Sequence, residues 1–198
     1  ITNVTITGAG ISTSDNTSDK LYVAGLVSIN KGKLASSKCL LDRVGNYNAG
    51  KHHYVAGMAI YNSEINSFIS QCVVTSTIEG NTVAGAVVVM NNSAAKMDQI
   101  VVGYYNYYDS DFKQNLIKGD RYVAGVVVDL RNGAVSNVQA SSEIYGATNS
   151  AVSSLIVLIF PNGASFKNAV IDSSFNGFGK YYSECWQDFR NSDASVKD

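Results

Sequence analysis

Proline is almost absent from this sequence, and charged residues are scarce. A single proline, Pro161, occurs among 198 residues, and Asp, Glu, Lys and Arg together make up 16% of the chain, well below the usual quarter. The 15 basic and 16 acidic residues leave a formal net charge of -1. Because neither sign dominates, nucleic acid and anionic membranes are poor candidate partners.

Long hydrophobic runs and a cysteine framework are also missing. The longest strongly apolar run, residues 155–160, is far too short to span a bilayer. Cys39, Cys72 and Cys185 match neither a disulfide scaffold nor the spacing of a zinc site, and the sequence indicates no cofactor. The chain begins at Ile1 without a signal peptide, so we expect a processed protein or an excerpt of a longer one.

What the chain does contain is a repeat. The triplet Val-Ala-Gly begins at Val23, Val55, Val83 and Val123, and a period near 30 residues is typical of a solenoid or a propeller-like array. A degenerate fifth copy begins near Ala151. The opening residues match the second half of a repeat, so we expect the array to start in mid-repeat.

Each repeat is predicted to hold two clear strands separated by polar turns, with room for a short third strand. β-Branched residues pack well on a pleated surface, the recurring Gly permits close packing or a bend, and Asn at the corners tolerates a left-handed backbone. A propeller blade usually needs four strands and about 40 residues. The sequence therefore favours an all-β fold over residues 1–180, a right-handed parallel β-helix or related β-solenoid of about five repeats.

The repeat also predicts which residues stack on one another. The spacing inside each triplet is fixed, so equivalent residues should form columns across the repeats. We expect one column of valines and one of glycines, made up of Val23, Val55, Val83 and Val123, and of Gly25, Gly57, Gly85 and Gly125.

One stretch is apolar on both alternating faces of its strand. Val87 and Val89 should point one way, and Val88 and Met90 the other. A strand with one wet face alternates hydrophobic and polar residues. The outer face is therefore predicted to be covered, either by a second layer of the same chain, such as a loop or helix, or by a partner.

The character of the chain changes in residues 181–198. Tyr182, Cys185, Trp186 and Phe189 follow the i, i+3, i+4, i+7 spacing of one helical face. This pattern predicts a short capping helix from Tyr181 to Arg190, with Trp186 packed on the last repeat or along the outer sheet and a polar tail behind it.

The search for catalytic and metal-binding residues yields weak signals. The adjacent His52 and His53 would point apart on a strand, so they do not form a metal site by themselves. Cys39 and Cys72 occupy similar places in neighbouring repeats, which predicts either a buried column of reduced thiols or a bridge between repeats.

Asp129 has charged neighbours in the sequence and stands where other repeats carry apolar residues. Together with Asp120, Arg121 and Arg131 it would suit the groove of a polysaccharide lyase, in which carboxylates and a cation surround a uronate. The other interpretation is an ordinary solvated charge on an outward face.

The best candidate binding site is an aromatic insertion in the third repeat. A loop that leaves a repetitive scaffold commonly carries binding, and Tyr beside Asp suits sugar rings or a protein partner. The alternative is a loop that folds back over the outer sheet. The candidate residues are Tyr104, Tyr105, Tyr107, Tyr108, Asp109, Asp111 and Phe112.

The repeats resemble a known family. The stretches that begin at Leu21 and His53, "LYVAGLVSIN" and "HYVAGMAIYN", are similar to the GLUG-type repeats of secreted bacterial surface proteins, which include adhesins and the non-catalytic part of IgA-cleaving metallopeptidases. The resemblance covers about residues 21–179, although Ala replaces the family's first glycine and the second glycine is missing. It implies an extracellular display or adhesive role, and it carries over no catalytic residue.

These observations predict a non-enzymatic repeat module of a surface or filament-forming protein. Its expected partner is another protein, a glycan or a further copy of itself, and its expected location is extracellular or at the cell surface. Two alternatives stay open: a structural component of an intracellular or cytoskeletal assembly, and a carbohydrate-active β-helix enzyme resembling a polysaccharide lyase.

Overall fold

The structure is a computed structural model that describes residues 1–12, 20–45, 53–103, 115–160, 163–177, 179–182 and 185–188. All regular secondary structure in these ranges is β-strand. The strands are β1 (Thr5–Gly8), β2 (Leu21–Ala24), β3 (Val27–Asn30), β4 (Lys33–Ala35), β5 (Lys38–Leu41), β6 (Arg43–Gly45), β7 (His53–Ala56), β8 (Ala59–Asn62), β9 (Phe68–Val74), β10 (Thr77–Ala84), β11 (Val87–Val102), β12 (Asn115–Ala124), β13 (Val127–Ala140), β14 (Ser142–Gly146), β15 (Ala151–Ser153), β16 (Ile156–Ile159), β17 (Ala164–Ile171), β18 (Ser174–Gly177), β19 (Lys180–Tyr182) and β20 (Cys185–Asp188).

The described strands form two parallel sheets. The larger sheet has 11 strands and includes the path β1-β5-β9-β11-β13-β16-β20, and the smaller sheet has nine and includes β18-β14-β12-β10-β7-β2. Neighbours in a sheet come from successive repeats: β11, for example, lies between β9 and β13. The all-β, parallel character predicted from the repeat is confirmed.

The valines of the triplets stack as predicted. Val23 lies opposite Val55, Val55 opposite Val83, and Val83 opposite Val123. The degenerate fifth copy extends this column with Val152. All of these side chains are buried in the main apolar core, because β-branched residues in one column fill the interior without gaps.

The glycines of the triplets mark a bend at which the chain passes from the smaller to the larger sheet. A Cβ on Gly57 would lie 2.2 Å from the carbonyl oxygen of Gly85, and one on Gly85 would lie 2.0 Å from that of Gly125. Backbone bonds continue across the bend, since the Gly57 N–H donates to Ala84 O at 3.2 Å. The triplet needs glycine because successive bends approach one another too closely for any side chain.

Each repeat has more strands than the two that the sequence predicts. The second repeat, for example, contributes β7 and the second part of its return through β10 to the smaller sheet, and β8 and β9 to the larger one. That prediction was wrong because the apolar stretch around Gly57 reads as one strand, whereas the glycine bend divides it between the two sheets.

A column of left-handed residues runs down the larger sheet. Each member has a φ between 49 and 56° and follows directly after a residue that is paired with its counterpart in the next repeat. Side chains also bond along the column: Ser36 Oγ donates to Gln71 Oε1 at 3.1 Å, and Asn168 Nδ2 donates to Asn137 Oδ1 at 3.1 Å. The members are Asn3, Ser36, Gln71, Gln99, Asn137 and Asn168.

The asparagines that follow the triplet strands have a different role from the one expected. Asn30 and Asn62 lie in register at the ends of β3 and β8 and do not adopt a positive φ. Instead, their side chains are buried, and Asn30 Nδ2 donates to Asn62 Oδ1 at 2.8 Å. A buried amide needs a partner, and the equivalent residue of the next repeat provides it.

The C-terminal segment is strand rather than the predicted capping helix. β19 pairs with β15, and β20 pairs with β16, with Cys185 opposite Ile156. The helical spacing of the aromatic residues was misleading, because β15 and β16 present unpaired backbone groups that a strand satisfies and a helix does not. The segment acts as a sixth, degenerate copy of the triplet region.

The opening residues pair with the second half of the first complete repeat, as expected. Thr2 lies opposite Ala35, β1 pairs with β5, and Ile11 lies opposite Val44. In the described part of the chain, no helix is long and apolar enough to cross a membrane.

Candidate binding surface

The apolar outer face predicted from the sequence is covered by the chain itself. On the outer side of the glycine bend, alanines of the triplets and aliphatic residues of the next strand form a second apolar cluster, distinct from the main core. Its residues Ile60, Val88 and Val128 are at most 3% exposed. The covering layer is therefore the neighbouring sheet, and neither a loop nor a helix is required.

Aromatic residues flank this outer cluster at the N-terminal end of the sheets. Tyr22 and Tyr54 lie opposite one another in β2 and β7, and Tyr61 projects from β8. The Tyr22 and Tyr54 rings stack with their centroids 5.4 Å apart, and the Tyr61 ring lies 5.7 Å from Tyr22 at 60°. We call Tyr22, Tyr54 and Tyr61 the tyrosine cluster.

The tyrosine cluster combines an apolar surface with hydroxyl groups that stay protonated. Tyr61 Oη donates to Tyr22 Oη at 3.5 Å. Burial, together with this contact, raises the pKa of Tyr61 to about 12, so the hydroxyl is a hydrogen-bond donor at neutral pH. Amphipathic rings of this kind are frequent anchors in interfaces.

The surface continues from the cluster onto an exposed aliphatic residue. Ile29 lies opposite Tyr61 in the adjoining repeat and is 52% exposed, while Tyr22 is 38% exposed. Both stand on edge strands, because β2 pairs only with β7 and β3 only with β8 among the described strands. The exposed side chains are thus contiguous with a cluster that the fold holds in place, which is the usual arrangement of an interaction surface.

The charged group proposed for a lyase groove forms a compact internal pair. Arg131 Nε donates to both carboxylate oxygens of Asp129, at 3.2 and 2.9 Å, and the Arg131 guanidinium lies over the Phe160 ring. Asp129 is 8% exposed, so the expectation of a solvated charge was wrong. Arg121 lies over the ring of Tyr122.

The environment of Asp129 predicts a specific pH dependence. Burial raises the pKa of its carboxyl, although the Arg131 guanidinium acts in the opposite direction. The folded state therefore holds the proton more tightly than the unfolded state. The stability that this group contributes is present below its unfolded-state pKa and is lost as the pH rises through the folded-state pKa.

We predict that wild-type protein loses stability relative to the Asp129→Asn variant as the pH rises from about 3 to about 7. The amide of Asn does not titrate, and it still accepts a hydrogen bond from Arg131. Urea unfolding of both proteins at several pH values measures the difference. Two unfolding free-energy curves that run parallel across this range would contradict the prediction.

The histidine and cysteine signals lead to no metal site in the described residues. His53 is buried at the start of β7, and His52 lies outside the described residues. In the ranges that the structure covers, no three His, Cys, Asp or Glu side chains come together as metal ligands.

Cys39 and Cys72 are buried, free thiols, and burial raises the pKa of both. They do not stack on one another, because Cys39 lies opposite Val74, two residues beyond Cys72. The predicted column of cysteines is therefore wrong, while the prediction of reduced, buried thiols is confirmed for this pair.

The aromatic insertion lies outside the described residues. This applies to Tyr104, Tyr105, Tyr107, Tyr108, Asp109, Asp111 and Phe112. The tyrosine cluster, by contrast, was not predicted. Alignment of the repeats would have placed Tyr22 above Tyr54, but the approach of Tyr61 depends on the glycine bend, which the sequence pattern did not reveal.

No protein-family model matches the chain, and the searches of curated proteins and of solved structures likewise found no match.

Proposed function

We propose that this chain is a non-enzymatic repeat module, a right-handed parallel β-solenoid that binds a protein partner through the tyrosine cluster. The observation that carries the proposal is the cluster itself, three tyrosines fixed by contacts 5.4 and 5.7 Å between ring centroids beside the exposed Ile29. Rings held rigid by the scaffold lose little conformational freedom on binding, which favours their use as anchors.

The solenoid interpretation is supported by the pairing pattern. Every pairing of described strands is parallel, and successive repeats supply neighbouring strands in both sheets. Such arrays bury their core only by stacking, and they present extended surfaces that commonly serve in binding.

A display or adhesive role at the cell surface follows from the resemblance to GLUG-type repeats, and it stays a proposal. The alternative of a structural role inside cells draws on the buried, free thiols of Cys39 and Cys72, since reducing compartments keep thiols free. A carbohydrate-active enzyme is less favoured, because Arg131 engages both carboxylate oxygens of Asp129.

Site-specific crosslinking in the cells that produce the protein tests the binding role. A photoreactive phenylalanine analogue at position 61 should give a discrete crosslinked product with another protein. That product should weaken more than about tenfold when Tyr22 is replaced by Ala.

Tyr145 provides the matched control position, since it lies on β14 under Lys118 and away from the cluster. Equal crosslinking from positions 61 and 145 would refute a localised protein-binding surface. If the chain instead binds a soluble polysaccharide from a defined panel, and the Tyr22→Ala change abolishes that binding, the partner is a glycan and the protein-partner proposal is wrong.

A further inference from the structure

The interior columns of the fold are open at both ends. One column is completely buried in its four middle members, whereas its last member, Ile171, is 37% exposed and its first, Ile6, is half-buried. Exposed apolar side chains at the ends of such a column have lost the neighbour that covers every other member. In order, the column contains Ile6, Cys39, Val74, Val102, Ala140 and Ile171.

A second interior column repeats the pattern in the smaller sheet. Its first member, Ile11, is 41% exposed, and its last, Phe175, is half-buried, while the members between them are fully buried. In order, the column contains Ile11, Val44, Ile78, Ile117, Ile144 and Phe175.

The strands at both ends have one paired edge each. At the N-terminal end β1, β2 and β3 pair only with β5, β7 and β8, and at the other end β17 and β18 pair only with β13 and β14 among the described strands. The sequence of β1, "TITG", contains no charge or proline. Charged residues and proline are common means of preventing association at an exposed edge.

The two ends match one another in register. Asn3 and Asn168 are the terminal members of the left-handed column, with φ values of 56 and 54°. Each repeat presents to its successor the same edge that the N-terminal end leaves unpaired. A second copy placed by that same relation would bring its Asn168 opposite Asn3 and its Ile171 opposite Ile6.

The ends also have complementary steps. Residues 1–12 pair with strands of the second half of the first repeat and leave β2 and β3 uncovered. At the other end, β19 and β20 extend beyond β15 and β16, while β17 and β18 stay uncovered. With β17 and β18 of a second copy against residues 1–12, its β19 and β20 would lie opposite β2 and β3.

We infer that a second copy of this chain docks head to tail, its C-terminal edge against the N-terminal edge of the first, and continues both sheets. The contact joins two different surfaces, so it does not close on itself and produces a linear filament. This self-association is separate from partner binding through the tyrosine cluster, and either can fail without the other.

Sedimentation velocity of the full chain over a range of concentrations tests the inference. The mass should rise with concentration above the 21.1 kDa of one chain. Ile11→Lys alters the N-terminal surface and Ile171→Lys the C-terminal surface. Because both residues are exposed, at 41 and 37%, each variant should fold with an unchanged melting temperature while association weakens more than about tenfold.

Mixing the two variants gives the sharpest result. Ile171→Lys retains an intact N-terminal surface, and Ile11→Lys retains an intact C-terminal one, so the mixture should form a dimer that neither variant forms alone. Ile65→Lys is the control, since Ile65 is 67% exposed and lies between β8 and β9. A wild-type chain that stays monomeric, a mixture that forms no dimer, or equal disruption by Ile65→Lys would each overturn the inference.

Discussion

Replacing Gly85 by Ala should prevent folding or lower the free energy of unfolding by more than about 3 kcal/mol. The new Cβ would lie 2.0 Å from the carbonyl oxygen of Gly125 and 2.5 Å from Val102 Cγ1. The first contact is with backbone, which rotation of a side chain does not relieve. The bends above and below would have to separate, and the hydrogen bonds between them would be lost.

Gly32 supplies the control for this change. A Cβ there would meet nothing within 4 Å, so Gly32→Ala should leave stability within about 1 kcal/mol of wild type. Urea unfolding followed by circular dichroism compares the two variants. Similar stabilities for Gly85→Ala and Gly32→Ala would show that the bends do not approach one another as closely as described.

Truncation of one interior residue should have the second large effect. Ile117 is fully buried in the column between Ile78 and Ile144, and the Ile117→Ala change should cost about 2–5 kcal/mol. A stacked array closes a cavity poorly, because backbone bonds to both neighbouring repeats fix the strand on either side.

The adjacent Leu116 gives a matched comparison on the same strand. It faces outward and is only partly buried, so Leu116→Ala removes a similar apolar volume with less than half the cost. Thermal and urea unfolding of the two variants would measure the difference. If Leu116→Ala proved the more damaging, the assignment of inner and outer faces on β12 would be wrong.

The repeat made the parallel architecture predictable because it repeats both spacing and residue type. Val, Ala and Gly recur together, and each has a distinct requirement: an interior column for Val23 and its equivalents, an outer cluster for Ala56 and its equivalents, and close backbone approach for Gly57. A pattern that satisfies three such requirements at one spacing has few other structural solutions.

Features that depend on the bend were harder to predict. The stretch on either side of Gly57 is apolar on both faces, so periodicity alone did not divide it between β7 and β8. The same bend brings Tyr61 towards Tyr22, and without it the tyrosine cluster has no sequence signature.

At the C-terminus, local periodicity competed with tertiary pairing. The spacing of Tyr182, Cys185 and Trp186 fits a helix, yet β19 and β20 pair with the edges of β15 and β16. Backbone pairing with a preformed edge outweighs a weak amphipathic preference in so short a segment. The column of left-handed residues, by contrast, had a usable signal: a polar Ser, Gln or Asn recurs in the second half of each repeat, between residues that face inward.

The central claim, that successive repeats stack in register at one strand spacing, is tested most directly by distances between spin labels on one outward column. Thr5, Lys38, Gln139 and Val170 are exposed and lie in that column together with Val73 and Val101. At about 4.8 Å per strand, Cα separations of about 14 Å for Lys38–Gln139, 19 Å for Lys38–Val170 and 24 Å for Thr5–Val170 are predicted. Distances that do not grow by about one strand spacing per repeat would contradict the stacked arrangement.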